Sequence, residues 1–132
     1  MDVSTGISAV IITHNESANI ARCIKSVNDL VDEVLVVDSY STDNTCEIAK
    51  NLGARVIEHP FVGHIQQKNW AKDQATFHWV LSLDADECLS DELRIHLQNA
   101  IKNGLLYGQT KGFAFSRLNH LGDLPIRGCG WY

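Results

Sequence analysis

Two aspartates one residue apart close an apolar run in His78-Trp79-Val80-Leu81-Ser82-Leu83-Asp84-Ala85-Asp86-Glu87. Alternate side chains on an extended backbone share a face, so Asp84 and Asp86 can point to the same side where a strand ends. Paired hard oxygen ligands suit a divalent cation. Mg²⁺ and Mn²⁺ take one or two protein carboxylates and complete their shells with water and substrate phosphates, which makes a nucleoside diphosphate the natural other half of the site. A solvated acidic turn leading into a helix has the same local sequence, and the surrounding elements must decide between the two.

Those elements alternate between strand and helix. Ser8-Ala9-Val10-Ile11-Ile12-Thr13 is a short apolar run that fits a strand buried on both faces. Ile20, Cys23, Ile24 and Val27 then recur at helical spacing, with Asn15 or Ser17 as the expected N-cap. Val34-Leu35-Val36-Val37-Asp38 repeats the strand pattern. Its helix carries Ile48, Ala49 and Leu52, with Thr45 as expected cap and Gly53 as stop. A third strand follows at 54–58, interrupted by Pro60, then a helix over 64–75, a fourth strand at 79–83, and a helix capped by Ser90 and ended by Gly104. The order implies an α/β fold, a three-layer sandwich whose mostly parallel sheet has helices on both faces. Gly112 to Leu118 alternates as an edge strand would, and the chain ends on Trp131-Tyr132 as though in mid-structure. The expectation is a single domain over 1–132, truncated before its second half.

Composition narrows the function. The 132 residues carry 11 Lys and Arg against 16 Asp and Glu, a formal charge of −5, with no basic cluster or basic-aromatic stripe. No nucleic-acid partner is expected. No apolar run approaches the roughly 20 residues of a membrane helix, and the first residues lack a signal peptide's basic start and apolar centre, so a cytoplasmic protein is expected. The four cysteines are scattered without a Cys-x-x-Cys pair, which favours reduced thiols over a disulfide frame or zinc site. The first strand-to-helix turn has no glycines for a dinucleotide pyrophosphate, and no Gly-x-x-x-x-Gly-Lys-Ser/Thr loop occurs, so a metal must hold most of any phosphate bound here.

In an open parallel sheet, ligands bind beyond the carboxyl ends of the strands. Here those ends read Thr13-His14-Asn15-Glu16, Asp38-Ser39-Tyr40-Ser41-Thr42-Asp43-Asn44-Thr45 and Asp84-Ala85-Asp86-Glu87. With Ile11-Ile12 before the first, Val36-Val37 before the second and Gln67-Lys68-Asn69 between, these segments resemble the family 2 glycosyltransferases with the A-type nucleotide-sugar fold, in order and in spacing. The likeness runs from Ser8 to Tyr132. It is nearest to the bacterial branch that adds glucose or a related sugar to the lipopolysaccharide core, which shares Asp-Ala-Asp-Glu. The resemblance implies a donor pocket lined by Thr13, Asn15 and Glu16, with Asp38 and Ser39 at the base, a uracil N3–H in a UDP donor. It implies Lys68 near the diphosphate, Asp84 at the ribose or the metal's water shell, Ala85 between, and Asp86 on Mn²⁺ or Mg²⁺. The metal would neutralise charge on the departing diphosphate while an acceptor hydroxyl attacks the anomeric carbon with inversion. The catalytic base would follow the fifth strand, beyond Tyr132.

The expected partners are therefore a UDP-sugar and a saccharide or lipid-linked acceptor. Such an acceptor would draw the protein to the inner membrane surface, and the exposed aromatic end leaves room for a homodimer. Two other classes stay open. A nucleotidyltransferase shares the layered fold but needs a glycine- and basic-rich loop that residues 13–19 lack. A nucleotide-sugar binding module without turnover needs only the donor half.

Overall fold

Every residue of the first strand, and nearly every residue of the second, faces a core, and that burial organises the molecule. The computed structural model describes residues 6–104 and 106 in full and the backbone of 119–121 and 124–126. Strand β1 (Ile7–Thr13) is buried along its whole length, and β2 (Glu33–Asp38) along all but its first residue. Ile7, Ala9 and Ile11 pack with Val34, Val36, Leu81 and Leu83 into one apolar cluster, whereas Val10, Ile12, Leu35 and Val37 enter another. Successive side chains go to opposite faces, so a continuous apolar run is what a two-sided parallel strand requires.

The sheet order is β3-β2-β1-β4, all parallel, with β3 at Arg55–Glu58 and β4 at Trp79–Asp84. The larger cluster is shared with α1 (Ile20–Val27), α2 (Thr45–Asn51) and α4 (Asp91–Lys102), and the smaller one with α3 (His64–Asp73). This is the expected three-layer arrangement. After β3 the chain returns to the far side of β1 to make β4, so the order reverses at β1, where a crevice opens at the carboxyl ends. No described helix is long and apolar enough to cross a membrane, and among the described residues Cys23, Cys46 and Cys88 are free thiols.

The helix ends follow local chemistry. Ser90 caps α4 by accepting from the Leu93 N–H at 3.1 Å. Ser90→Ala should cost about 1 kcal/mol, measurable as a lowered urea midpoint with an unchanged slope. Gly53, at φ 89°, ends α2 as Ala54 N–H reaches Ala49 O and Gly53 N–H reaches Lys50 O, the paired bonds of a Schellman ending. Two expected caps are corrected. Asn19 precedes α1 in place of Asn15 or Ser17, because a turn in which Glu16 O accepts from Asn19 and Ile20 N–H comes first. Asn44 precedes α2, and Thr45 is its first residue, buried, with its hydroxyl given to Asp43. The strand expected at 112–118 lies outside the described residues. Beyond it an antiparallel hairpin not anticipated from the pattern pairs β5 (Asn119–Leu121) with β6 (Leu124–Ile126).

Candidate functional site

The carboxyl ends of β1, β2 and β4 surround a cavity of about 240 Å³, lined by Ile12, Thr13, His14, Glu16, Ser39, Phe61, His64, Gln67, Asp84, Ala85 and Asp86. It lies where the strand order reverses. The lining holds three carboxylates and no Lys or Arg.

Asp84 is the last residue of β4, and Asp86 sits in the turn that follows rather than on the strand. The turn is closed by Glu87 N–H to Asp84 O at 2.9 Å and by the Glu87 carboxylate accepting from Asp84 N–H at 2.8 Å. Helix α1 steadies it from below: Cys23 Sγ donates to Asp84 O at 3.6 Å and Arg22 to Asp86 O at 3.3 Å. Burial, reinforced by the Glu87 carboxylate, pushes the Cys23 thiol up to about 12, so it stays a neutral donor. The Asp86 side chain is exposed and has no hydrogen bond or ion pair among the described residues. Asp84 Oδ1 lies 3.1 Å from Lys68 Nζ, an ion pair without hydrogen-bond geometry, so this shielded oxygen has a counter-charge but no bonded donor.

The β1–α1 loop is stitched to the β2–α2 loop. Asn15 adopts a left-handed φ of 51°, a conformation Asn tolerates better than most residues. Its N–H donates to Ser41 Oγ and its side-chain carbonyl accepts from Thr42 N–H, both at 2.7 Å. Glu16 N–H donates to Thr45 Oγ1 at 2.9 Å and Ser17 N–H to Asp43 at 3.2 Å. The Thr45 hydroxyl and N–H, then Ser17, hold the Asp43 carboxyl down to about 2 against some desolvation. His14 Nδ1 lies 2.7 Å from Ser39 O, and since a carbonyl only accepts, that nitrogen carries the proton.

A second line of bonds fixes Ser39. Buried Gln67 donates from Nε2 to Ser39 Oγ at 3.1 Å and accepts at Oε1 from His59 Nδ1 at 2.9 Å, while the His59 ring stacks on Trp70. With its oxygen taken as acceptor, the hydroxyl proton of Ser39, a cavity-lining residue, stays available for donation.

Of the residues expected at the site, the structure gathers Thr13, Glu16, Ser39, Asp84, Ala85 and Asp86 on the cavity wall. Lys68 stands beside it through Asp84. Asn15 does not line the cavity; it is exposed and holds the loops together. Asp38 is fully buried below it, with its oxygens bonded to Ser41 N–H at 2.8 Å and Ser41 Oγ at 2.5 Å. Burial and the bond to Asp38 push the neighbouring Cys46 thiol up to about 11. His14, Phe61, His64 and Gln67 complete the wall without having been assigned a role. Carrying the rule about strand ends on to the third strand would have found Phe61 and His64, which follow β3.

The residues present fit a divalent cation in one particular way. No group of three or more His, Cys, Asp or Glu among the described residues forms a cage, but two hard carboxylates at a cavity mouth match the partial shell that Mg²⁺ or Mn²⁺ completes with ligand phosphates. Thr13 Oγ1, on a residue 7 % exposed and on the cavity wall, has no hydrogen-bond partner among the described residues, an orphaned group that a ligand would satisfy.

A family model described as glycosyl transferase family 2 matches residues 8–118. The chain belongs to that family. Among curated family relatives, an uncharacterized glycosyltransferase of Rickettsia felis is 53 % identical over 92 residues, covering 70 % of this chain and 32 % of its own length. The SPbeta prophage-derived glycosyltransferase SunS of Bacillus subtilis is 36 % identical over 96 residues, covering 65 % and 21 %. This chain thus spans about a third or less of these relatives. Among solved structures, glucosyl-3-phosphoglycerate synthase from Mycobacterium tuberculosis in complex with uridine diphosphate superposes with a TM-score of 0.61 at 29 % identity, over 79 % of this chain and 41 % of that one. The mannosyltransferase PcManGT from Pyrobaculum calidifontis, in complex with GDP-Man and Mn²⁺, gives 0.61 at 27 % identity, over 73 % and 31 %.

Proposed function

We propose that this chain is the donor-binding part of a metal-dependent glycosyltransferase that takes a sugar, glucose or a near relative, from a UDP-sugar. The observation that carries the reading is the cavity at the strand-order reversal, where Asp84 and Asp86 meet the unpartnered Thr13 hydroxyl. The family membership and a relative holding uridine diphosphate support it. The acceptor is a saccharide or lipid-linked saccharide of the cell envelope, the lipopolysaccharide core in the branch that shares Asp84-Ala85-Asp86-Glu87; a lipid-linked acceptor would bring the protein to the inner membrane surface.

Asp86, the exposed carboxylate, is the residue assigned to Mn²⁺ or Mg²⁺, with Asp84 on the ribose or the water shell. When bound, that cation supplies neutralisation of the charge gathering on the departing diphosphate. Thr13 and Ser39 donate hydrogen bonds to nucleoside oxygens, and Glu16 and Asn15 shape the loop beside them. Asp38 accepts a base N–H, which takes the place of the Ser41 hydroxyl. Phe61 and His64, whose rings meet edge to face on the cavity wall, limit water.

Thermal unfolding with UDP, GDP, ADP or CMP, each with and without Mn²⁺, tests this. At 100 times its dissociation constant a ligand stabilises by about 2.7 kcal/mol, so UDP with Mn²⁺ should raise the midpoint well above the shift from either alone. Equal responses to all four nucleotides, or none, would count against a uridine donor site.

A further inference from the structure

Lys68 and Asp84 form their ion pair at the edge of a cavity whose wall carries Glu16, Asp84 and Asp86, two histidines, and no Lys or Arg. The pair is 36 % and 35 % exposed, so solvent screens it and it is readily exchanged. Asp84 Oδ1 accepts no hydrogen bond, so among the described residues the ammonium is what balances it. A nucleoside diphosphate would bring more negative charge into a space already acidic. It needs a cation from somewhere, and Lys68 is committed to Asp84. The unpartnered Thr13 hydroxyl on the same wall is an independent sign that a ligand completes this cavity.

We propose that Lys68 is an exchangeable counter-ion. It neutralises Asp84 while the cavity holds no nucleotide, and it transfers to the diphosphate when a divalent cation takes over the aspartates. The inference rests on the donor-site reading above and adds a coupling to it. A cation arriving alone competes with the Lys68 ammonium for Asp84. A diphosphate arriving alone meets uncompensated carboxylates. Together each removes the other's obstacle, so each tightens the other's binding by the same factor.

Mn²⁺ binding, followed by electron paramagnetic resonance with and without UDP, tests the exchange in the wild-type chain, Lys68→Met and Lys72→Met. Lys72 is exposed one turn further along α3, off the cavity wall, and controls for net charge. Without UDP, Lys68→Met should bind Mn²⁺ about 3- to 10-fold more tightly than wild type. The enhancement of Mn²⁺ affinity by UDP should shrink, and Lys72→Met should match wild type. If wild type binds Mn²⁺ and UDP but Lys68→Met binds the metal alone no more tightly, the exchange is wrong while the donor site stands. The exchange is equally wrong if Lys72→Met tightens Mn²⁺ binding as much as Lys68→Met does. If wild type binds neither Mn²⁺ nor UDP, the donor-site reading falls and the exchange with it.

Discussion

Asp86→Ala is expected to abolish the stabilisation of this chain by UDP with Mn²⁺ while leaving the ligand-free protein as stable as before. The two halves of that result come from different parts of the residue. The carboxylate is exposed and unbonded among the described residues, so losing it should change folding free energy by no more than about 0.5 kcal/mol. Arg22 holds the backbone carbonyl, which alanine keeps. The ligand-dependent increment, about 2.7 kcal/mol at 100-fold excess over the dissociation constant, should disappear because the metal loses its free anionic oxygen. A full UDP and Mn²⁺ shift surviving in Asp86→Ala would remove this residue from the metal site. A large drop in the ligand-free midpoint would show that it has a structural role.

The second large effect lies at the other end of the sheet. Glu33, whose side chain is 15 % exposed, accepts from Ser8 Oγ and Thr76 N–H at 2.9 Å, from Thr76 Oγ1 at 2.7 Å, and pairs with Arg55 at 3.3 Å. One carboxylate thus joins β1, β2, β3 and the segment leading into β4. Glu33→Ala leaves the buried Ser8 hydroxyl without its acceptor and unties the exposed Thr76 and Arg55, and should cost about 2–3 kcal/mol, seen as a lower denaturation midpoint. Burial alone would raise this carboxyl, but the Thr76 and Ser8 bonds and the Arg55 charge outweigh it and hold it below the usual glutamate value. A folded-state value below the unfolded one means the unfolded chain binds more protons, so stability rises with pH through that interval. The contribution is complete above the ordinary glutamate range and is lost as pH falls through the folded value. Asp43, held near 2, acts in the same direction. Glu33→Gln should therefore flatten the acid limb of a stability–pH profile recorded in dilute buffer. An acid limb as steep as that of wild type would refute the assignment.

Much of the layout was legible because it rests on short-range rules. Apolar runs of strand length between helical stripes announce a parallel sheet covered on both faces, and each expected element from β1 to α4 is present. Ser90, Gly53 and Gly104 were readable as helix boundaries because capping depends on one residue's own side chain or its freedom at positive φ. The expected caps at Asn15, Ser17 and Thr45 failed because each is drawn into bonds between the two loops. Asn15 is engaged by Thr42, Ser17 by Asp43, and Thr45 by Asp43 and Glu16. Sequence spacing carries no information about which loop folds over which.

By itself, then, the sequence determined the alternation of elements, the acidic turn after the fourth strand, and the polar strand ends around which the cavity forms, because strand period, helix period and strand-end polarity are local properties. Only the tertiary structure decided which side chains line the cavity. It turned Asn15 to the loops and sank Asp38 beneath Ser41. It brought Gln67, Phe61 and His64 to the cavity wall from a helix and loop remote in sequence. It also set Lys68 against Asp84, an ion pair between α3 and β4 that exists because the strand order reverses at β1 and places those elements side by side.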